Sequence, residues 1–307
     1  MKNNNKLLKF IIDPDYRFVA LAEQGLFNRM KDEEYIKRMY KAQFKCYPNL
    51  VHPQTYNEKL QWLKLHDHNP IYTKMVDKIE AKKVAASIVG EQYIIPTIGI
   101  WNSFDEIDFD TLPDQFVLKC THDSGGISIC KDKKVFDVEK AKRLIEKSLA
   151  KNYYWHGREW PYKNIEPRIL AEKYLVNNIE TELKDYKFFC FDGKVKALFI
   201  ASDRQNPKEE TKFDFFDDKY NHLPLTNGHP NAETIPEKPA LFEEMKLLAG
   251  KLSEGVPHVR VDLYEANGKI YFGEMTLYHW SGFVPFSPQE WDYTFGSWLT
   301  LPIDYNT

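Results

Sequence analysis

The stretch that decides the fold is "VRVDLYEANGKIYFGEM", residues 259–275, where two alternating apolar runs flank an Asn-Gly pair. Asn-Gly between two such runs is a strong signal for a β-hairpin. Each strand carries an acid, Asp262 and Glu274, in a stretch that otherwise looks buried. Burying a carboxylate is costly unless it has a partner. The stretch therefore predicts an antiparallel strand pair in which each of the two acids has a partner.

The length of the turn determines whether the two acids share a face. The strand period of two places Phe272 and Glu274 on the same face of their strand. A two-residue turn pairs Asp262 with Gly273 and leaves Glu274 on the opposite side. A three-residue turn with a left-handed glycine pairs Asp262 with Phe272 and Arg260 with Glu274, which brings both acids together.

Two carboxylates on one sheet face repel each other unless a cation lies between them. Mg²⁺ accepts carboxylate and phosphate oxygens, so a metal site is one interpretation of Asp262 and Glu274. The alternative is a pair of salt bridges in which Arg260 neutralises Glu274. The hairpin alone does not choose between them.

The composition is that of an ordinary folded protein, with 307 residues, 43% hydrophobic residues, 28% charged residues and a net charge of −3. This charge does not support a nucleic-acid binder, which usually has a basic excess. The four cysteines lack the close spacing of a zinc or dithiol motif, so we expect them to be reduced and structural. Neither a signal peptide nor an 18-residue apolar span is apparent, so a soluble, cytoplasmic protein is expected.

The order of elements predicts the α+β class. Helical patterns are found at residues 32–44, 55–67, 77–90, 137–155 and 240–253. Strand patterns are found at residues 93–101, 115–130, 168–175 and 185–203, besides the hairpin. Helices come first and antiparallel pairs with intervening helices follow, which is unlike a run of βαβ units.

The stretch "FVLKCTHDSGG", residues 116–126, could hold a phosphate. Lys119 ends an apolar strand, and Ser124, Gly125 and Gly126 follow in a loop. The ammonium supplies charge, and glycines let backbone N–H groups approach phosphate oxygens closely. The pattern is not a Walker A motif, and the alternative is a plain β-turn with a surface lysine.

The strand "RILAEKYL", residues 168–175, turns polar at Glu172 and Lys173 before Tyr174 and Leu175. One interpretation is a hinge between two lobes whose backbone pairs with an adenine edge. The other is an edge strand with exposed charges.

Four further charged residues follow this strand. Glu180, Glu182 and Asp185 could serve a ribose or form a solvated turn. Lys187 lies between large aromatic residues, where it either extends outward or points into a cleft.

Two aromatic loops are candidates for substrate contact. Residues 276–283, "TLYHWSGF", follow the second acid, and a second substrate would lie beside His279, Trp280, Ser281 and Gly282. His279 could equally be structural. Residues 153–160, "YYWHGREW", could form a lid, a sugar platform or a packed corner of the core.

As an ordered set, these motifs resemble the ATP-grasp fold, and more narrowly its teichuronopeptide-biosynthesis-like (TupA-like) branch. The resemblance runs through residues 55–67, 76–96, 116–126, 171–175, 185–195, 259–264 and 270–283. It implies a nucleotide held between a small α+β lid and a larger mixed-sheet core. The implied organisation is a helical N-terminal region (1–75), a pre-ATP-grasp helix and strands (76–115), a lid (116–190) and a core with the metal site (191–307).

The resemblance also implies roles for the candidate residues. Lys119 and the loop of Ser124, Gly125 and Gly126 would contact phosphates, Arg260 would be a phosphate partner, and Lys187 a second nucleotide contact. The adenine hinge would be Glu172, Lys173, Tyr174 and Leu175. The Mg²⁺ ligands would be Asp262, Glu274 and Thr276. Many family members have asparagine at the third of these positions, and threonine is a weaker ligand, which puts a second metal in doubt.

The activity implied is an ATP- and Mg²⁺-dependent, ADP-forming ligase that joins a carboxylate to an amine through an acylphosphate. Its substrate would be a sugar acid or an amino acid destined for bacterial surface polysaccharide, with peripheral contact to a membrane-linked glycan. Two rival classes are a glycosyltransferase of polysaccharide biosynthesis and a non-catalytic scaffold. Dependence of ATP turnover on both an acid and an amine separates the three.

Overall fold

The computed structural model describes residues 2–176, 183–202 and 209–302. Its helices are α1 (Lys2–Ile12), α2 (Pro14–Glu23), α3 (Asp32–Phe44), α4 (Tyr56–His66), α5 (Ile71–Val76), α6 (Lys78–Val89), α7 (Val138–Leu149), α8 (Tyr154–Gly157), α9 (Phe242–Leu252) and α10 (Glu290–Trp298). Its strands are β1 (Thr97–Trp101), β2 (Phe116–Cys120), β3 (Ile127–Cys130), β4 (Ile169–Lys173), β5 (Asp185–Phe191), β6 (Lys194–Ser202), β7 (Lys212–Asp217), β8 (Thr226–Asn227), β9 (Val259–Ala266), β10 (Lys269–Thr276) and β11 (Phe286–Ser287).

Local sequence signals set several helix ends. Thr55 and Glu58 form a capping box at the start of α4, in which each side chain accepts from the other residue's backbone N–H. Gly90 ends α6 with φ of 106°, a backbone conformation that glycine adopts without steric cost. The predicted helix over 137–155 was too long. It ends at Leu149, and α8 begins as a separate turn at Tyr154.

The smaller sheet is antiparallel, with strand order β1-β4-β2-β3. Its apolar face packs against α7, and the buried side chains include Phe116, Leu118, Ile145 and Ala171. Its other face carries the side chains of Lys119 and Glu172, on neighbouring strands. The core under this sheet is therefore separate from the main core.

The larger sheet has strand order β10-β9-β5-β6-β7, and its aromatic strands form the main core. One face packs against α9 through Phe188 and Phe242. The other face packs against α4 and α10, where Phe189 contacts Tyr56 and Phe295 edge-on. Both faces are buried, so a charged residue on this sheet needs a partner within the protein.

Three antiparallel sheets, the third formed by β8 and β11 alone, with separate helices bear out the predicted α+β class. The resemblance implied a mixed core sheet, but the described strands all pair antiparallel, and the parallel contact found is the isolated bridge between Ile94 and Phe272. Strand β1, predicted within 76–115, belongs to the smaller sheet, and β5, predicted within 116–190, to the larger one. The domain division itself stays a prediction.

The cysteines are free thiols, as expected, with Cys46 exposed and the other three buried. Within the described ranges, none of the helices combines the length and hydropathy that a membrane span requires.

Candidate active site

The β9–β10 hairpin brings Asp262 and Glu274 directly opposite each other. The turn has two residues, Asn267 and Gly268, with φ of 52° and 73°, as the Asn-Gly pair favours. The register then shifts between Phe272 and Glu274. Neither predicted register was therefore right: the two-residue turn is present, but the acids nevertheless share a face.

A bulge at Gly273 is the physical reason. The extra residue turns Glu274 to the face opposite Phe272, so the expected common face of these two residues was wrong. A Cβ added at Gly273 would lie 2.8 Å from Tyr264 Cε2 and 3.0 Å from the Asp262 carbonyl oxygen. Glycine therefore fits the close approach that this bulge needs.

The fully buried Asp262 carboxylate is held by two cations. Arg260 donates from Nε to Oδ1 and from Nη2 to Oδ2, both at 2.7 Å. Lys187 also donates to Oδ2 and makes a 2.6 Å ion pair with Asp185. Burial alone would raise the pKa of Asp262, but Arg260 and Lys187 outweigh it and hold the pKa below its ordinary value.

Arg260 also joins Asp262 to the second strand. Its Nη2 donates to Thr276 Oγ1 at 3.0 Å and approaches Glu274 Oε1 at 3.4 Å. Glu274 keeps 42% of its side chain exposed, so it is the accessible member of the acidic pair. Arg260 thus both neutralises Asp262 and contacts the other two candidate metal ligands.

His279 fixes the guanidinium of Arg260. Its Nδ1 accepts from Arg260 Nη1 at 2.8 Å, since arginine can only donate, and its Nε2 lies 2.9 Å from Asn227 Oδ1. Burial, and next the charge of Arg260, lowers the pKa of His279 far below its usual range. His279 is a buried, neutral ring whose two nitrogens both have hydrogen-bond partners. We therefore infer that it positions Arg260 and does not contact substrate.

On the smaller sheet, Glu172 binds two lysines. Lys119 lies 2.5 Å from Glu172 Oε2 and Lys82 2.8 Å from Oε1. Burial would raise the pKa of Glu172, but the two ammonium groups hold it below its ordinary value. Lys82 was not predicted as a site residue from the sequence. The available signal was a lysine three residues from both Ile79 and Ala85, on the buried face of α6.

The two glycines of the predicted phosphate loop differ. Gly126 donates its N–H to the Asp123 carboxylate, and a Cβ there would lie 2.5 Å from Ser148 Oγ and 2.6 Å from Cys120 Sγ. Its glycine identity is therefore explained by packing. Gly125 is exposed, as is Ser124, and a Cβ on Gly125 would meet nothing within 4 Å. Gly125 is thus the glycine of this loop that faces open space.

The predicted adenine hinge begins inside strand β4 and continues beyond it. Glu172 pairs with both Thr97 and Val117, and the N–H of Lys173 donates to the Pro96 carbonyl at 3.0 Å. Strand β4 ends at Lys173, so Tyr174 and Leu175 follow the ladder. These two residues are the better placed for backbone contact with a ligand. The ribose candidates Glu180 and Glu182 lie outside the described residues.

The loop 279–282 is locked against the 157–159 segment. Trp280 and Ser281 have φ of 50° and 52°, a conformation that costs free energy in non-glycine residues. Ser281 donates to the buried carboxylate of Glu159. The buried Lys64 donates to the Gly157 and Ser281 carbonyls, both at 2.7 Å. Trp280 is 40% exposed, whereas His279, Ser281 and Gly282 are buried.

Tyr153 connects the glycine loop to the acidic pair. Burial raises the pKa of its phenol, the charges of Glu159 and Glu274 raise it further, and the hydroxyl of Ser124 opposes them. One side chain therefore lies within electrostatic range of both the loop and the hairpin.

The oxygen donors of the hairpin fit Mg²⁺. Two carboxylates and a hydroxyl lie on one face of the hairpin, from Asp262, Glu274 and Thr276. Among the bonds described above, Asp262 Oδ1 accepts the one from Arg260 Nε. In the described ranges, no three His, Cys, Asp or Glu side chains converge as a metal cage. Mg²⁺ usually takes one or two carboxylates from a protein and completes its shell with water and phosphate oxygens.

A family model described as "TupA-like ATPgrasp" matches residues 58–300, and no curated protein matches the chain. Solved structures similar to it include D-alanine–D-alanine ligase from Bacillus anthracis complexed with ATP (16% identity, 66% of this chain, 54% of that chain, TM-score 0.39). Another is the ATP-grasp ligase PsnB complexed with minimal precursor (10% identity, 72% of this chain, 60% of that chain, TM-score 0.41). A third is D-cycloserine synthetase DcsG (14% identity, 68% of this chain, 64% of that chain, TM-score 0.39). The chain spans 54% to 64% of the lengths of these three proteins.

Proposed function

Because the chain belongs to the TupA-like ATP-grasp family and has its fold, we propose that it is an ATP-dependent, ADP-forming ligase that joins a carboxylate to an amine. The observation that carries the proposal is the direct pairing of Asp262 with Glu274 on a buried sheet face. The two carboxylates lie on neighbouring strands and repel each other, and Glu274 keeps 42% of its side chain exposed, which favours a bound cation beside them.

We assign the nucleotide to the region between the two sheets. Lys119 and Lys82 would contact phosphate oxygens, and Glu172 holds both ammonium groups in place. Gly125 would approach the phosphates from the loop, and the hinge after Lys173 would contact adenine. Asp262 and Glu274, with Thr276 as a weaker ligand, would hold Mg²⁺, which offsets phosphate charge when bound.

The proposed reaction needs positioned charge and no nucleophilic side chain. An oxygen of the substrate carboxylate attacks the γ-phosphorus, the bond to the ADP oxygen breaks, and an acylphosphate forms. The amine nitrogen then attacks the acyl carbon, loses a proton, and phosphate leaves. Arg260, fixed by Asp262 and His279, would balance developing charge.

The substrate we propose is a sugar acid or an amino acid joined to bacterial surface polysaccharide, in the cytoplasm where ATP is available. A membrane-linked acceptor is supported by α1. Its Leu7, Leu8, Ile11 and Ile12 are all more than half exposed, and Lys6 and Lys9 lie on the opposite face of the helix. An amphipathic basic helix of this kind suits an anionic lipid surface.

The test is ADP release by the full chain with Mg·ATP across a matrix of uronic acids, amino acids and amines. We expect turnover that needs both an acid and an amine, and a loss of at least 100-fold in Asp262→Asn and Glu274→Gln. The exposed Glu233→Gln serves as the matched carboxylate-to-amide control. Sugar-nucleotide turnover without ATP would indicate a glycosyltransferase instead, and no turnover of either kind would indicate a scaffold.

A further inference from the structure

A cavity of about 750 Å³ lies between the N-terminal region and the glycine loop. Residues 22–28 form one wall, the end of α7 and residues 150–156 form another, and Asp123 and Gly125 close the side toward the loop. The volume is within the roughly 300–1,000 Å³ of ordinary ligand pockets. Residues 22–28 precede the stretch that the family model matches, so this wall belongs to a part of the chain that the family model does not describe.

The buried Arg158 joins the two walls of the cavity. Arg158 Nη2 donates to the Phe27 carbonyl at 2.7 Å, and its guanidinium stacks on Tyr35 and Trp155 at 4.3 and 4.8 Å. Tyr35 in turn donates to the His156 carbonyl at 3.1 Å. Arg158 takes a left-handed conformation, with φ of 57°, to make these contacts. The cavity is therefore held open by the fold itself.

The lining combines rings, amides and cations. Trp155 and Tyr153 present aromatic side chains, Asn28 presents an amide, and the exposed Lys147 and Lys151 present ammonium groups, whereas the amide of Asn152 is bonded to the Tyr154 N–H and the Lys163 carbonyl. Glu23 and Asp123 are the acids on the lining, and Asp123 is occupied by Gly126 and Ser148. A flat ring suits the apolar face of a sugar, amides suit hydroxyls, and lysines suit carboxylates.

The cavity extends to the loop that we propose for phosphate binding. Gly125, the accessible glycine of the proposed phosphate loop, is on its lining. So is Tyr153, whose pKa is affected by the charge of Glu274 and by the hydroxyl of Ser124 in the same loop. A ligand in the cavity would therefore present one end to the proposed γ-phosphate position.

We propose that this cavity is the acceptor subsite and that it binds a carboxylated sugar, stacked on Trp155 and ion-paired with Lys147 and Lys151. The proposal rests on the proposed ligase function for its biological meaning, but binding can be measured without turnover.

The experiment is calorimetric titration of the full chain with trigalacturonic acid, with neutral maltotriose and with triglutamate. We expect trigalacturonic acid to bind at least tenfold more tightly than either of the others. The double variant Lys147→Ala/Lys151→Ala should weaken it about tenfold, as should Trp155→Ala, while ADP affinity stays unchanged. Lys140→Ala, an exposed lysine on the same helix but off the lining, is the matched control.

Trp155 stacks on Arg158, so the Trp155→Ala variant could misfold. The test therefore depends on the Lys147→Ala/Lys151→Ala variant. Unchanged trigalacturonic acid binding in the lysine variant, or no binding by the wild type, overturns the subsite. Stronger binding of triglutamate overturns the sugar assignment. If binding behaves as expected but no acid or amine elicits ADP release, the subsite stands and the ligase proposal fails.

Discussion

At the scale of single residues, each buried charge of the site has a partner of opposite sign. Glu172 is shared by two lysines, and Asp262 by an arginine and a lysine. Removing one member of such a group leaves the others buried without compensation, which costs more than the pair contributes by forming. The charges that we assign to nucleotide binding therefore also stabilise the fold.

We expect Glu172→Gln to lower the free energy of unfolding by about 3 kcal/mol at pH 7, because Lys82 and Lys119 lose their counter-ion. The pKa of Glu172 is held below its ordinary value, so its stabilisation is present above pH 4.5 and is lost as the pH falls through the folded-state pKa. Urea unfolding between pH 7 and pH 3 should show a shallower loss in the variant. Glu166→Gln, exposed just before β4, is the control. Equal stability of Glu172→Gln and wild type would contradict the shared ion pair.

At the scale of elements, short irregularities aim the functional side chains. The bulge in β10 turns Glu274 toward Asp262, and the loop between β2 and β3 leaves Gly125 exposed while Gly126 is packed. In both elements a glycine is fixed by the close approach of neighbouring atoms. The β5–β6 hairpin, by contrast, turns at Asp192 and Gly193, a pair that favours two-residue hairpin turns, with both residues at positive φ.

The glycine loop offers a matched pair of substitutions. We expect Gly126→Ala to lower stability by about 1–3 kcal/mol, because its Cβ would overlap Ser148 and Cys120. Gly125→Ala should change stability by less than about 0.5 kcal/mol but weaken ATP binding, since the methyl group would stand in the proposed phosphate approach. Thermal unfolding and nucleotide titration of both variants check this. Equal destabilisation of the two would contradict the difference in packing.

At the scale of the whole molecule, the N-terminal region is tied to the site through Arg158 and extends outward as α1. Arg17 donates to the Phe10 and Ile11 carbonyls at the end of α1, which fixes this helix to α2. The apolar stripe of α1 is exposed. The acceptor cavity and the proposed lipid-binding helix thus belong to one continuous region.

We expect the full chain to bind vesicles that contain phosphatidylglycerol and not vesicles of phosphatidylcholine alone, with binding that falls as salt rises. Leu7→Ser/Ile11→Ser should abolish this binding in a flotation assay and leave ADP release with soluble substrates unchanged. Val135→Ser, which removes an equally exposed apolar side chain from the smaller sheet's region, should have no effect. Binding that is indifferent to lipid charge, or to the α1 variant, would refute the membrane contact.

Features that depend on neighbouring residues can be predicted from the amino-acid sequence. The Asn-Gly and Asp-Gly turns, the capping box at Thr55 and the glycine end of α6 follow from local backbone preferences, and the order of motifs identified the family. Tertiary structure decided what depends on distant atoms. The bulge at Gly273 is set by Tyr264 across the sheet, Lys82 reaches Glu172 from another element, and the cavity forms because Arg158 joins segments far apart in the chain. Periodicity reports which residues share a face, but it carries no information about a register shift or about what packs against that face.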